Sequence, residues 1–172
     1  MNWIFFPKTN PLPNELLETL KVFEEVANQI DSTKNDTNAL RLASDKVLHI
    51  LEPGLTEIGF KVEKSKKAKD KVRIPVLFGD KSSEQLAFEA DAYKKDSKIV
   101  IEVEAGRAVT NYQFLKDLFQ ASMMVETDYL VLAVRELYNN RNDYEVVSKF
   151  LDAIYLTKKV KLDLKGVLLV GY

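Results

Sequence analysis

Glu89-Ala-Asp-Ala-Tyr-Lys-Lys-Asp-Ser-Lys-Ile-Val-Ile-Glu-Val-Glu104 is the stretch on which the architecture turns. Two apolar-rich runs flank the polar segment Lys94-Lys-Asp-Ser97, and this pattern predicts a hairpin joining strands over residues 86–93 and 98–104. Side chains alternate across a strand, so Glu102 and Glu104 share one face while Ile99, Ile101 and Val103 take the other. In the partner strand Ala87, Glu89, Asp91 and Tyr93 share a face. Pairing the two strands brings Asp91 beside Glu102 and Glu104.

Outward from the hairpin, apolar residues Leu16, Leu20, Phe23 and Ile30 recur at helical spacing over 14–30. A second helix is expected from about 37 to 51, ended or kinked by Pro53-Gly54. Short strands are expected at 60–63 and 72–78. After the hairpin, Thr110-Asn-Tyr-Gln113 has the form of a capping box and opens a helix to about 126. Its inward face is read as Leu115, Leu118, Phe119, Ser122 and Val125. Residues 129–134 form an apolar run of the kind buried on both faces. Asp143 is expected to cap a helix that turns Val146, Val147, Phe150, Leu151 and Ile154 inward, and 166–171 close the chain as a strand. The order predicts an α/β fold, a central mixed β-sheet flanked by helices, with a right-handed crossover through the helix after the hairpin. One domain over 1–172 is expected, comprising a helical N-terminal part (1–58), a motif-bearing core (60–134) and a closing helix and strand (143–172).

Composition narrows the classes. The 172 residues are 46% hydrophobic and 30% charged, which is globular. With no cysteine there is neither a disulfide framework nor a thiolate metal site. Residues 1–7 are apolar but too short for a signal peptide, and no run is long enough to span a bilayer. A cytoplasmic protein with no membrane partner is expected, with Trp3, Phe5 and Phe6 buried or self-associating. Net charge is −1, so overall charge does not favour nucleic acid. The cations are uneven, however. Lys64, Lys66, Lys67, Lys69 and Lys71 crowd one stretch, a solvated loop or a phosphate-contacting one. Other catalytic arrangements are absent: His49 is the sole histidine, and no Walker A loop, Gly-x-Gly-x-x-Gly or Gly-x-Ser-x-Gly occurs.

Converging carboxylates are costly, since two of them about 5 Å apart repel by roughly 3 kcal/mol at an effective dielectric of about 20. A hard cation such as Mg²⁺ removes that cost, taking one or two carboxylates with water and substrate phosphate. It can then polarise a phosphoryl oxygen and acidify a bound water. The carbonyl of Val103 is a further oxygen within reach. The competing explanation is an ordinary solvent-facing strand, with Glu102 and Glu104 paired to Lys98 or Arg107.

Glu89-Ala-Asp91 and Ile99-Val-Ile-Glu-Val-Glu104, with ten residues between Asp91 and Glu102, resemble the core of the PD-(D/E)xK nuclease superfamily over residues 60–134. Ala90 stands where that pattern has proline, and Glu104 where it has lysine. Glu-x-Glu at these positions is similar to a subset of type II restriction endonucleases. The resemblance implies a restriction-endonuclease-like fold and a Mg²⁺-dependent DNA endonuclease, with Mn²⁺ able to substitute. It implies Asp91, Glu102 and the Val103 carbonyl as metal ligands, with Glu104 orienting or deprotonating the attacking water. Lys116, in the polar stripe Gln113, Lys116, Asp117, Gln120, could restore the missing lysine from the following helix. Arg107 and the lysine-rich loop would contact DNA, and cutting both strands implies a homodimer on double-stranded DNA. The rivals are a repair, recombination or transposition nuclease of the same fold, and a nucleic-acid-binding module that does not cleave.

Overall fold

Strands that are apolar on both faces need helices above and below, and that requirement organises the whole chain. The computed structural model describes residues 1–34 and 42–172. In chain order the elements are β1 (Asn2–Phe6), α1 (Asn14–Ile30), α2 (Ser44–Glu57), β2 (Lys61–Val62), β3 (Val72–Phe78), β4 (Glu84–Ala90), β5 (Ala92–Lys94) and β6 (Ile99–Glu104). There follow α3 (Gln113–Met123), β7 (Tyr129–Val134), β8 (Leu137–Tyr138), β9 (Arg141–Asn142), α4 (Asp143–Thr157) and β10 (Gly166–Gly171). Six strands form the central mixed sheet in the order β1-β10-β7-β6-β5-β2. β6, β7 and β10 run parallel, while β1, β5 and β2 are added antiparallel at the two sides.

Each face of the sheet buries its own core. Ile99, Ile101 and Val103 of β6 pack with Val131, Leu168 and residues of α1 and α2 such as Phe23 and Leu51. Val100, Leu130, Leu132 and Leu169 look the other way, onto Phe114 and Leu118 of α3 and Val147 and Leu151 of α4. The expected α/β layering is therefore present, with α3 and α4 on one face as the crossovers of the parallel strands.

Several expectations need correcting. The N-terminal segment, not foreseen as a strand, forms an edge of the sheet; Phe5 and Phe6 are buried as expected, whereas Trp3 stays half exposed. The start of the second helix near residue 37 lies outside the described residues. Its described part continues through Pro53 to Glu57, so Pro53-Gly54 does not end it. Gly54 is there for helix packing, because a Cβ would come within 2.8 Å of the Val22 side chain on α1. The expected strand at 86–93 is broken at Asp91. β4 pairs only with β3, as a separate two-stranded ribbon, and β5 alone joins the central sheet. Asn142, rather than Asp143, caps α4 by accepting the Glu145 N–H at 2.9 Å, while Val146 and Phe150 are partly exposed.

The helix after the hairpin departs most. Thr110-Asn-Tyr-Gln113 makes no capping box: residues Thr110–Tyr112 form a 3₁₀ turn, and no side chain caps α3. Thr110 Oγ1 instead accepts from Arg141 at 3.3 Å. The buried face of α3 is Phe114, Asp117, Leu118 and Ala121, and Phe119 is exposed. The helix is thus rotated by about one residue from the expected face, which carries Asp117 inward.

Between β6 and α3 the chain bends at Gly106, with φ of 99°. A Cβ there would run into the Tyr138 ring, which covers the bend from β8. Gly106→Ala is expected to destabilise the protein by roughly 1–3 kcal/mol, through left-handed strain and overpacking together. Urea unfolding of the two proteins measures this; equal midpoints would mean that Tyr138 swings aside at no cost.

Candidate active site

β6 owes its position to apolar residues on both sides, yet its α3-facing positions end in Glu102 and Glu104. The pairing runs from Lys94–Ile99 to Ala92–Ile101 and stops there, so Asp91 lies just past the ladder. Alternation sends Glu102 and Glu104 to one side of β6. Ile101 and Val103 are buried on the other, as expected.

Asp91 sits where the hairpin kinks, and its Oδ2 accepts the Val103 N–H at 2.7 Å. A side chain thus caps the ladder at the point where β5 has left off. N–H and C=O of one extended residue point the same way, so the Val103 carbonyl also faces the kink. At the far end of β6, Tyr172 Oη donates to the Glu104 carbonyl at 3.1 Å and fixes the strand terminus. The Tyr172 ring is itself buried.

Asp117 arrives from α3 with its side chain 1% exposed. Lys116 Nζ lies 3.0 Å from its Oδ1, although that lysine is otherwise half exposed. The contact is an ion pair of poor hydrogen-bond geometry, and neither Asp117 oxygen has a well-aligned donor. Asp117 lies near Glu104, whose carboxyl its charge pushes up. Lys116 therefore stands at the mouth of the acidic group, and Asp117 belongs to that group although the sequence assigned it only to a polar stripe. Its spacing with Phe114, Leu118 and Ala121 is the signal that places it inside.

The electrostatics follow from burial among like charges. Burial lifts the Asp91 carboxyl to about 6, against the Val103 N–H that favours its charge, with Glu63, Asp117 and Asp45 adding repulsion. Glu102 is pushed well above the ordinary range by burial first, then by Asp91 and Asp117. Glu104 is raised to about 8 by burial and by the charge of Asp117. Burial opposes the charge of Lys116, but the bond to Asp117 and the carboxylates of Glu102 and Glu104 outweigh it, and its pKa rises.

Among the described residues no group of three His, Cys, Asp or Glu side chains is gathered closely enough to hold a metal ion. The expected three-carboxylate convergence is therefore absent as a finished cage. The donor set nonetheless suits a hard cation: all the candidate ligands are oxygen, and the buried Asp117 carboxylate has no hydrogen-bond partner. Mg²⁺ needs only one or two carboxylates when water and phosphate complete its shell.

The remaining assigned residues divide. Lys71 is half-buried and bonds Glu63 at 2.9 Å and Glu89 at 3.2 Å, so it serves the fold. Lys66 reaches Asp45 at 3.3 Å on the surface, while Lys64, Lys67 and Lys69 are exposed. This loop adjoins the kink, since Glu63 N–H donates to the Asp91 carbonyl at 2.8 Å. Arg107 is exposed on the bend after β6. The neighbouring carboxylates Glu63 and Asp45 act on Asp91, whereas Glu52 is engaged by His49 at 3.2 Å.

No family model matches the chain, and neither a curated protein nor a solved structure matches it at a significant level. Among the described residues no helix is long and apolar enough to cross a membrane.

Raised carboxyl pKa values set the sign of the pH dependence. The folded protein keeps protons that the unfolded chain, titrating near about 4, has released. Stability from this site is therefore fullest below about pH 4 and drains as pH rises through about 6 for Asp91 and about 8 for Glu104. Glu102→Gln mimics the protonated acid. In EDTA it should melt with the wild type at pH 5 and above it at pH 8, by on the order of 1 kcal/mol after solvent screening. A lower melting temperature for the variant at pH 8 would reveal a stabilising partner for the Glu102 charge.

Proposed function

We propose that the protein is a metal-dependent DNA endonuclease of the PD-(D/E)xK type, with a restriction-endonuclease-like core and a Glu-x-Glu site. The observation that carries the reading is the Asp91 carboxylate held at 2.7 Å on the Val103 N–H, between Glu102 and Glu104, at a hairpin kink flanked by a lysine-bearing loop. A divalent cation, Mg²⁺ or Mn²⁺, would supply phosphoryl polarisation and an acidified water. Asp91, Glu102 and the Val103 carbonyl would hold it, a buried oxygen set otherwise short of positive charge. Glu104 would then orient the attacking water and take its proton, a role suited to a carboxyl titrating near neutrality. Lys116, with its Nζ beside Asp117, is placed to balance charge at the phosphate. Hydrolysis of both strands of a duplex calls for two such sites, hence a homodimer. A type II restriction role fits best; the same chemistry would serve repair, recombination or transposition.

Plasmid DNA with Mg²⁺ tests the reading directly. Wild type should nick or linearise it, EDTA should stop the reaction, and Glu102→Gln should lose at least about a hundredfold in rate, as expected when a transition-state interaction worth a few kcal/mol is removed. Retained cleavage by Glu102→Gln would remove that residue from the site. DNA binding without cleavage by the wild type would favour the non-cleaving module.

Phosphate contact by the loop has its own test. Replacing Lys64, Lys66, Lys67 and Lys69 by Gln, with Lys71 left to hold Glu63 and Glu89, should weaken binding to all duplex sequences alike. The slope of log affinity against log salt should flatten by up to about 0.9 for each phosphate no longer neutralised. An unchanged slope would make the loop an ordinary solvated turn.

A further inference from the structure

Asp117 has a problem that the proposed roles leave unsolved. Its carboxylate is buried beneath the first turns of α3, against the sheet face that carries Glu102 and Glu104. Leaving an ionised carboxylate so placed without donors costs several kcal/mol, and packing alone would prefer an apolar residue there. Its neighbours on the buried face, Phe114, Leu118 and Ala121, show what that packing accepts. Lys116 compensates only from the solvent side, and poorly aligned, at 3.0 Å from Oδ1. Among the described residues neither Asp117 oxygen has a hydrogen-bond partner. A divalent cation would supply the missing positive charge on the sheet side, because carboxylate oxygens are its natural ligands.

We propose that Asp117, acting from helix α3 together with Glu104, is a direct oxygen ligand for a divalent cation at the acidic face of β6. This rests on the metal-dependent reading above and extends it to a residue outside the Asp91, Glu102, Glu104 set. The side chain would not have to be recruited from solvent, since the helix already holds it buried. Lys116 would remain on Oδ1, leaving Oδ2 to the cation.

Mn²⁺ is the probe, titrated into the full chain without DNA at pH 8 and followed by calorimetry or by the EPR signal of free Mn²⁺. Wild type, Asp117→Asn and Glu102→Gln are compared. Asp117→Asn keeps the shape, so its metal-free melting temperature should be equal or higher. Its Mn²⁺ affinity should fall roughly tenfold or more, at least the loss that an outer-shell partner causes. The Mn²⁺-induced rise in melting temperature should shrink in parallel. Wild-type affinity in Asp117→Asn, with affinity lost in Glu102→Gln, overturns the role of Asp117 and leaves the metal-dependent reading standing. No Mn²⁺ binding by the wild type overturns both. Fe²⁺ with ascorbate, applied to the wild type, keeps the proposal falsifiable should the variant fail to fold. Backbone cuts are expected near Asp117 as well as near Glu102 and Glu104, and their absence from α3 overturns it.

Discussion

β6 is a strand enclosed on both faces that nonetheless carries two glutamates, and much else in the molecule accommodates that fact. Its one face is closed by Ile99, Ile101 and Val103 against α1 and α2. On the other, Val100 packs under α3, and then the alternation delivers Glu102 and Glu104 to the same side. A half-buried strand facing water would carry such residues without cost. Here helix α3 lies over them and adds a third acid, so protonation or a cation becomes a condition of comfort for the fold.

The frame around this face is rigid where the acids sit. β7 holds β6 by a continuous parallel ladder from Ile99 to Glu104. On the opposite edge the ladder to β5 stops at Ala92, and Asp91 bonds the Val103 N–H that β5 no longer reaches. Breaking the hairpin there separates the β3–β4 ribbon from the sheet. Glu63 ties the lysine-bearing loop to the same kink through the Asp91 carbonyl. A site built in this way depends on backbone pairing more than on side-chain rotamers, and sites carried by strands hold their geometry better than sites on loops.

Much of the architecture was legible in the sequence because it rests on periodicity. The span of α1, the parallel strands Tyr129–Val134 and Gly166–Gly171, and the burial of Ile101 and Val103 opposite Glu102 all follow from apolar spacing. What escaped depends on tertiary context. The N-terminal strand is recognisable only once β10 offers it an edge. Pro53 reads as a breaker, yet α2 continues to Glu57 around a close approach to Val22. Thr110 is a good capping residue whose hydroxyl is instead engaged by Arg141, brought in by the distant β9. The alternation of Glu102 and Glu104 along β6 was legible, whereas the kink that ties Asp91 to the Val103 N–H was not. Nor was the structural commitment of Lys71, because Glu63 and Glu89 meet it only in the folded ribbon.

Asp117 is the most informative of these misreadings. Hydrophobic spacing admits two faces for this helix, Leu115-Leu118-Phe119-Ser122 and Phe114-Leu118-Ala121. The first buries more apolar surface and leaves every charge in water. The fold takes the second, exposing Phe119 and burying an aspartate. Hydrophobic burial alone, at about 25 cal/mol per Å², argues against that choice. Replacing buried ionic groups with apolar ones is often neutral or stabilising by about 1–4 kcal/mol. An orientation that forgoes this stability leaves a buried carboxylate whose two oxygens have no hydrogen-bond partner among the described residues. Local disagreement between stability and placement of this kind is concentrated at functional sites. In this protein it falls on α3, the helix that packs on the face of β6 opposite Ile101 and Val103.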